Sequence, residues 1–293
     1  MALRYDAGEV ITAMITPFNE DLTINFADVE KLTQHLIDTG SDAVLVAGTT
    51  GESPTLTHEE ELELLKVVKG VVNGKAKLFV GAGSNCTVTA VEQSKRVSKV
   101  GVDAILTVVP YYNKPSQAGL INHFTQIAQS VDLPILLYNI PGRTGINMLP
   151  STIAEIAQKN DNVFGVKQSN GDLDQVSEII AQSPSDFSVF SGDDSLTLPM
   201  MSLGAKGVVS VASHIISKEI KQMIRLFKLG KVNEAAAVHR ELYPTFKKIF
   251  MAPNPTPIKA ALAKLGLVSD VVRSPLVTLT EEQKAELFAT LKI

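Results

Sequence analysis

The sequence predicts an α/β fold, a (β/α)8 TIM barrel with an appended C-terminal helical bundle. Eight short apolar runs alternate with amphipathic segments along the chain, as expected for repeated strand–helix units. The runs are continuously apolar, which is typical of strands buried on both faces of a parallel sheet. A doubly wound sheet is the alternative architecture. It is less favoured because no GxGxxG motif follows the first run and the composition does not change halfway along the chain.

The predicted elements follow each other in regular order. Strands are predicted over residues 10–16, 43–48, 77–83, 104–110, 134–141, 163–167, 187–192 and 207–212. Helices are predicted between and after them, over residues 25–39, 57–72, 87–100, 116–130, 150–159, 172–182 and 194–203. Several of these helices carry start signals, such as Thr57 before HEEELELL, Ser116 after a proline, and Pro150 with Ser151.

Four more helical patterns follow the eighth strand, and they begin at Lys218, Lys231, Pro257 and Thr280. One helix is needed to complete the barrel, so the others are expected to form an added bundle. We therefore predict a barrel domain over residues 1–225 and a C-terminal helical bundle over residues 226–293.

Composition excludes several classes of protein. The 293 residues include 27 Lys and Arg against 31 Asp and Glu, with no basic run, so nucleic acid is not an expected partner. No apolar stretch approaches the ~20 residues that span a bilayer, and the first residues lack a signal-peptide core, so we expect a cytoplasmic protein without a membrane partner. Cys86 is the single cysteine, and the five histidines lack metal-ligand spacing, so no metal is expected.

The carboxyl ends of the strands are where a barrel places its chemistry. In this chain those ends carry GTTGES (48–53), PYYNKP (110–115), YNIPGRTG (138–145), Lys167, SGDD (191–194) and residues 210–213. Lys167 ends the otherwise apolar run FGVK, where desolvation favours the neutral, nucleophilic amine that forms a Schiff base with a ketone. A lysine in this place can also simply extend to water.

The other strand ends offer polar groups suited to a ketone substrate with a carboxylate. GTTGES supplies hydroxyls and backbone N–H groups that can hold an anion, although a tight turn also explains its glycines. Tyr111, Tyr112 and Tyr138 offer phenols for proton transfer, or aromatic packing. Arg143 lies in a loop too small to bury it, so it is available for a carboxylate or for a surface ion pair.

Together, and in this order, the motifs resemble the class I aldolase family of dihydrodipicolinate synthase and N-acetylneuraminate lyase over residues 1–293. The second threonine of GTT, the paired tyrosines and the arginine after YNIPG resemble the synthase branch. Sialic acid lyases usually have a serine in the first loop and lack that arginine. The resemblance implies a condensation of pyruvate with L-aspartate 4-semialdehyde, on the diaminopimelate route to lysine, without a metal or organic cofactor.

The resemblance also implies roles for individual residues. Lys167 would form the imine, Tyr138 would transfer protons, and Thr49 with Tyr112 would complete a hydroxyl relay, with Tyr112 reaching in from a neighbouring subunit of a homotetramer built as a dimer of dimers. Substrate binding would involve Thr49 and Thr50 at the pyruvate carboxylate, Arg143 at the carboxylate of the semialdehyde, and Gly192 and Val209 at the pocket wall.

Four positions depart from the common family pattern. Gln168 replaces a usual Glu or Asp, and His214 replaces a usual Asn; neither residue is a catalytic group. In lysine-inhibited members, two histidines and an Asn/Glu pair form the feedback site. Here His58 and Asn85 match, whereas Glu61 replaces the second histidine and Thr89 replaces the glutamate. We therefore predict weak or absent inhibition by L-lysine.

Two other hypotheses are compatible with the fold. A related Schiff-base aldolase acting on a 2-keto sugar acid such as N-acetylneuraminate is the first, and Arg143 with the Tyr111–Tyr112 pair argues against it. A non-catalytic barrel is the second, and the presence of Lys167, Tyr138 and Thr49 argues against that.

Overall fold

The computed structural model describes residues 4–291. Within that range eight strands form a closed barrel in chain order, and the strand pairs are parallel. The strands are β1 (Val10–Ala13), β2 (Ala43–Val46), β3 (Lys77–Gly81), β4 (Ala104–Val108), β5 (Ile135–Asn139), β6 (Val163–Gln168), β7 (Ser188–Ser191) and β8 (Gly207–Ser210). The predicted barrel is confirmed, and the doubly wound alternative is wrong.

Twelve α-helices lie in the described range. They are α1 (Phe26–Asp38), α2 (His58–Val72), α3 (Thr87–Ser98), α4 (Gln117–Ala128), α5 (Pro141–Thr144), α6 (Pro150–Lys159), α7 (Leu173–Gln182), α8 (Thr197–Ser202), α9 (Ser213–Lys228), α10 (Val232–Lys248), α11 (Thr256–Lys264) and α12 (Glu281–Leu291). The last three are the C-terminal helices that the sequence predicts. Helix α9 includes residue 225, and the proposed domain boundary at residues 225–226 stays a prediction.

Two of the start signals in the sequence, Thr57 and Ser116, act as hydrogen-bonded caps, whereas α6 begins at Pro150 without a side-chain cap. Thr57 accepts from the Glu60 N–H through its hydroxyl at 3.2 Å, and Glu60 accepts from the Thr57 N–H at 2.9 Å, so α2 begins with a capping box. Ser116 accepts from the Gly119 N–H at 3.2 Å at the start of α4. These caps satisfy N–H groups that a helix cannot pair internally.

Most predicted strands are longer than the observed ones. The run at 43–48 ends as a strand at Val46, because Ala47 has a φ of 52° and leaves the extended conformation. Loop 141–144 is a single helical turn, α5, although its composition predicts only a turn. The predicted helix at 194–203 is a 3-10 turn over Asp194–Leu196 followed by α8.

The described chain divides into two compact units. The first contains residues 4–8 and Phe79–Val209, and the second contains Glu9–Leu78 and residues 210–291. In the first unit, the ring of Tyr5 lies 4.9 Å from that of Phe164, centroid to centroid. In the second, the hydroxyl of Thr12 hydrogen-bonds that of Ser213 at 2.7 Å. No helix of the described part of the chain is both long and apolar enough to cross a membrane.

Candidate active site

Lys167 is the central residue of the predicted site, and it lies on β6 next to last in the strand. It is 8% exposed, and β6 pairs it with Tyr138 on β5 and with Phe190 on β7. Among residues 4–291 no carboxylate forms an ion pair with the Lys167 amine, and the amine has no hydrogen-bond partner there. A buried lysine without a partner is unusual, because burial of a charge costs free energy unless it is compensated.

Tyr138 provides the contact that the Lys167 amine does have. The amine nitrogen lies 4.2 Å from the centroid of the Tyr138 ring, and both side chains are buried. The contact follows from the register, because β5 and β6 place the two residues side by side. The ring that contacts the amine therefore carries the Tyr138 hydroxyl, a group that can transfer protons.

Gly192 follows β7, and it is a glycine because Lys167 and Ser169 occupy the adjacent space. A Cβ atom at residue 192 would lie 1.7 Å from the Ser169 hydroxyl oxygen and 2.9 Å from Cε of Lys167. The Gly192 N–H donates to the Gln168 carbonyl at 2.8 Å. The structure thus places Gly192 against the lysine side chain. Val209 is a buried residue of β8.

A hydrogen bond between two side-chain amides, which the sequence analysis missed, lies next to Tyr138 and Lys167 on their strands. Asn139 and Gln168 directly follow Tyr138 and Lys167 on their strands and are paired in the same register. The Asn139 side chain donates from Nδ2 to Oε1 of Gln168 at 3.0 Å, with both residues buried. Because successive strand residues face opposite ways, this bond lies on the face opposite the amine and the phenol. The visible signal is a polar residue after each site residue.

The amide contact extends into a small network. Asn139 also donates to Oδ1 of Asn147 at 2.8 Å and accepts from the Met148 N–H at 3.0 Å. Asn147 in turn donates to Oε1 of Gln175 at 2.7 Å. Such a network fixes side-chain positions, since each unmade bond in a buried site is costly. Gln168, a departure from the common family pattern, is a member of this network.

Arg143 lies in α5 and is exposed. No ion pair or side-chain hydrogen bond of Arg143 occurs within residues 4–291. The single turn of α5 holds the backbone, because the N–H groups of Arg143 and Thr144 both donate to the Ile140 carbonyl at 3.0 Å. The guanidinium is consequently available for a carboxylate, which it can bind with two parallel hydrogen bonds.

Tyr112 lies at the protein surface. It is 89% exposed and has a φ of 72°, a conformation that is rare outside glycine. Its N–H donates to the Thr144 carbonyl at 3.4 Å, which connects this loop to the end of α5. An exposed aromatic ring in a strained backbone conformation is often kept for a contact outside the chain.

In the second unit, GTTGES follows β2. Thr50 is buried and Thr49 is partly exposed. Within the described residues no carbonyl accepts a hydrogen bond from the N–H of Thr49 or Thr50. Gly51 is needed here because a Cβ would lie 3.1 Å from the Met14 carbonyl oxygen. Two neighbouring unpaired N–H groups and two hydroxyls are groups that can hold an anion, and anion binding by this turn stays a prediction.

The C-terminal part of the second unit contacts this loop directly. The Asn254 side chain donates from Nδ2 to the Thr50 hydroxyl at 2.9 Å. Lys259 of α11 and Glu52 form a fully buried ion pair at 2.5 Å, and burial lowers the pKa of Lys259 to about 8. The sequence analysis missed Asn254 and Lys259. An apolar stretch around a lysine, as in PIKAALAKLG, is a visible but unspecific signal.

His214, the second departure from the family pattern, is a structural residue. Nδ1 lies 2.8 Å from the Val211 carbonyl, and Nε2 accepts from the Ile15 N–H at 3.2 Å. A donating Nδ1 and an accepting Nε2 are the two roles of a neutral ring. Burial lowers its pKa to about 4, which agrees with that state. His214 connects the end of β8 to the segment after β1.

Comparisons with known proteins agree on one family. Residues 6–293 match the model of the Dihydrodipicolinate synthetase family. A curated relative, 4-hydroxy-tetrahydrodipicolinate synthase 1 of Halalkalibacterium halodurans, is 52% identical over 280 residues, covering 96% of this chain and 95% of the relative. The crystal structure of the enzyme from Cyanidioschyzon merolae with lysine bound is 47% identical with a TM-score of 0.95, and the match covers 98% of this chain and 97% of that one.

A third comparison concerns a protein described as the first monomeric dihydrodipicolinate synthase variant. Its structure is 38% identical to this chain with a TM-score of 0.95, and the match covers 97% of this chain and 96% of that one. The matches extend over nearly the full length, and they agree with the observed barrel. This chain belongs to the dihydrodipicolinate synthetase family.

Proposed function

We propose that this chain condenses pyruvate with L-aspartate 4-semialdehyde through an imine on Lys167, in the cytoplasm and on the diaminopimelate route to lysine. The activity is that of a 4-hydroxy-tetrahydrodipicolinate synthase, a lyase of the class I aldolase type. The observation that carries the residue assignment is the buried Lys167 amine without a charged partner, 4.2 Å from the Tyr138 ring. A coupled assay that follows condensation, with N-acetylneuraminate cleavage as the competing reaction, tests the activity.

Binding of pyruvate is assigned to the turn after β2. The unpaired N–H groups and the hydroxyls of Thr49 and Thr50 would donate hydrogen bonds to the carboxylate, and charge-assisted hydrogen bonds of this kind are the strong ones. The pyruvate ketone is then free to react with Lys167. Gly192 leaves the space beside the lysine side chain clear, and Val209 contributes to the pocket wall.

The chemical steps follow from the properties of an imine. The neutral Lys167 amine adds to the ketone carbon of pyruvate and water leaves. The protonated imine withdraws electrons, so the methyl group loses a proton to Tyr138 and an enamine forms. The enamine carbon attacks the aldehyde carbon of the second substrate, and the new alkoxide takes up a proton. Tyr138, Thr49 and Tyr112 would pass these protons to and from solvent.

Arg143→Ala is expected to raise the KM for aspartate semialdehyde roughly ten- to a hundredfold, since a hydrogen bond to a charged group is worth about 1.5 to 3 kcal/mol. The KM for pyruvate should change little, because the lost contact is to the other substrate. Steady-state kinetics with each substrate varied in turn measure both constants. Equal increases in the two KM values would show that Arg143 has a structural role.

Assembly is proposed as a homotetramer, a dimer of dimers in which Tyr112 serves the neighbouring active site. The support is the 89% exposure of Tyr112 in the single chain. Sedimentation is expected to show a tetramer. A mixing experiment tests whether Tyr112 serves the neighbouring subunit. Tyr112→Phe chains and Lys167→Ala chains are each expected to be poorly active alone. Reassembled together they should regain activity, because a hybrid dimer contains one site with both Lys167 and the neighbour's Tyr112. A fully active monomer, or no gain on mixing, would contradict the exchange.

Inhibition by L-lysine is expected to be weak or absent. Lysine presents two ammonium groups, and Thr89 in place of a glutamate removes a charge-assisted bond worth about 1.5 to 3 kcal/mol, or roughly ten- to a hundredfold in affinity. Glu61 is a buried residue of α2, whereas Thr89 belongs to α3, so Glu61 would have to reach the same ammonium group from a different helix. Activity at saturating pyruvate with lysine raised into the millimolar range measures the effect.

A gain-of-function variant sharpens the lysine experiment. The double variant Thr89→Glu with Glu61→His restores the family pattern beside His58 and Asn85 and should introduce saturable inhibition. The single variant Glu61→His serves as the control, because it leaves the missing carboxylate unreplaced. Strong inhibition of the unmodified protein at sub-millimolar lysine would show that Glu61 rebuilds the site.

A further inference from the structure

We propose that Asn254 is a positioning residue that fixes the Thr50 hydroxyl as a hydrogen-bond donor to the pyruvate carboxylate. The inference rests on the proposed function, in which Thr50 binds that carboxylate. It assigns a role in substrate binding to the segment before α11, which lies about two hundred residues from Thr50 in the chain.

The direction of one hydrogen bond carries the proposal. Nδ2 of Asn254 donates to Oγ1 of Thr50 at 2.9 Å, and both side chains are at least nine-tenths buried. A hydroxyl has one proton and two lone pairs, so an oxygen that accepts from an amide keeps its proton for another acceptor. Among residues 4–291 the Thr50 hydroxyl has no such acceptor. The proton is therefore available for an anionic ligand.

A second contact, from α11, holds the turn after β2 at Glu52, two residues after Thr50. Lys259 of α11 pairs with Oε1 of Glu52 at 2.5 Å, and the N–H of Arg273 donates to Oε2 of Glu52 at 2.9 Å. The Glu52 backbone has a φ of 54°, a conformation that is costly for a residue with a side chain. The ion pair compensates this conformation by keeping the buried carboxylate paired. Asn254 and Lys259 thus hold the anion-binding turn at two points.

Replacement of the amide by a carboxylate reverses the hydrogen bond. In Asn254→Asp, the carboxylate would accept the Thr50 proton, so this proton would no longer be available to pyruvate. The substitution also places a negative charge near the substrate carboxylate, and like charges repel strongly when they are shielded from water. The side chains of Asn and Asp have nearly the same shape, so packing changes little.

The first experiment measures KM for each substrate in Asn254→Asp and Asn254→Ala. Asn254→Asp should raise the pyruvate KM about tenfold to a hundredfold, with a small effect on the semialdehyde KM. Asn254→Ala, which buries no new charge, should raise the pyruvate KM severalfold. The matched control is Thr256→Val, because the buried Thr256 hydroxyl in the first turn of α11 has no hydrogen-bond partner among the described residues. Its pyruvate KM should equal that of the unmodified protein.

The second experiment separates this inference from the proposed function. Thr50→Val should raise the pyruvate KM, and adding Asn254→Asp to it should have no further effect if Asn254 acts through Thr50. An unchanged KM in Thr50→Val would overturn the binding role of Thr50. A raised KM in Thr50→Val with an unchanged KM in both Asn254 variants would overturn the positioning role alone. Additive effects in the double variant would also overturn it.

Discussion

Lys167→Ala is expected to lose nearly all condensation activity, because Lys167 is the buried amine that contacts the Tyr138 ring and has no charged partner among the described residues. Reaction with pyruvate and borohydride should add one reduced three-carbon group per chain to the unmodified protein, at Lys167. Lys167→Arg should be inactive as well, since a guanidinium does not deprotonate to attack a ketone. The arginine variant is informative because it keeps a long basic side chain at this position while it removes the nucleophile.

Mass spectrometry after borohydride reduction locates the adduct. Lys206→Ala serves as the control, because Lys206 is an exposed lysine just before β8, and it should be labelled and active like the unmodified protein. Labelling at a different lysine, or none in an active preparation, would falsify the assignment. Retained activity in Lys167→Arg would likewise exclude an imine at this position.

Tyr138→Phe should lower kcat by roughly 10²- to 10⁴-fold, which is the usual contribution of a general acid or base. The ring, and with it the contact to the Lys167 amine, is kept, so the substitution deletes only the hydroxyl. The imine should therefore still form, and borohydride trapping should proceed even though turnover is slow. This combination separates proton transfer from positioning of the lysine.

Steady-state kinetics measure kcat in Tyr138→Phe, and stopped-flow kinetics measure whether its imine still forms. Tyr243→Phe on α10 is the control, because Tyr243 is an exposed tyrosine and its loss should leave kcat unchanged. If Tyr138→Phe keeps full turnover, the phenol is not the acid–base group. If it fails to form the trapped imine as well, its main role is to position Lys167.

Most of the fold can be predicted from the sequence because the signals are local. Each buried parallel strand needs a continuous apolar run, and Thr57 or Ser116 can cap a helix with atoms three residues away. Strand ends are predicted less well. Ala47 leaves the strand although it is apolar, since its conformation is set by the turn that follows rather than by its side chain.

Part of the candidate site could likewise be predicted from the sequence, and part of it could not. Lys167 and Tyr138 follow from their places at strand ends and lie together, because the register of β5 and β6 makes them neighbours. Asn254 and Gln175 were missed, since their partners lie far away in the chain and nothing nearby in the sequence marks them. The roles of all these residues stay predictions until the variants are measured.

The sequence by itself determined the barrel, the family and the chemical groups at the strand ends, because periodicity, turn residues and motifs are properties of short segments. Only the tertiary structure decided how those groups are held. It placed the Lys167 amine over the Tyr138 ring, linked Asn139 to Gln168 behind them, and brought Asn254 to Thr50. The physical reason is that hydrogen bonds and buried ion pairs act over about 3 Å, and only the folded chain sets which distant residues approach that closely.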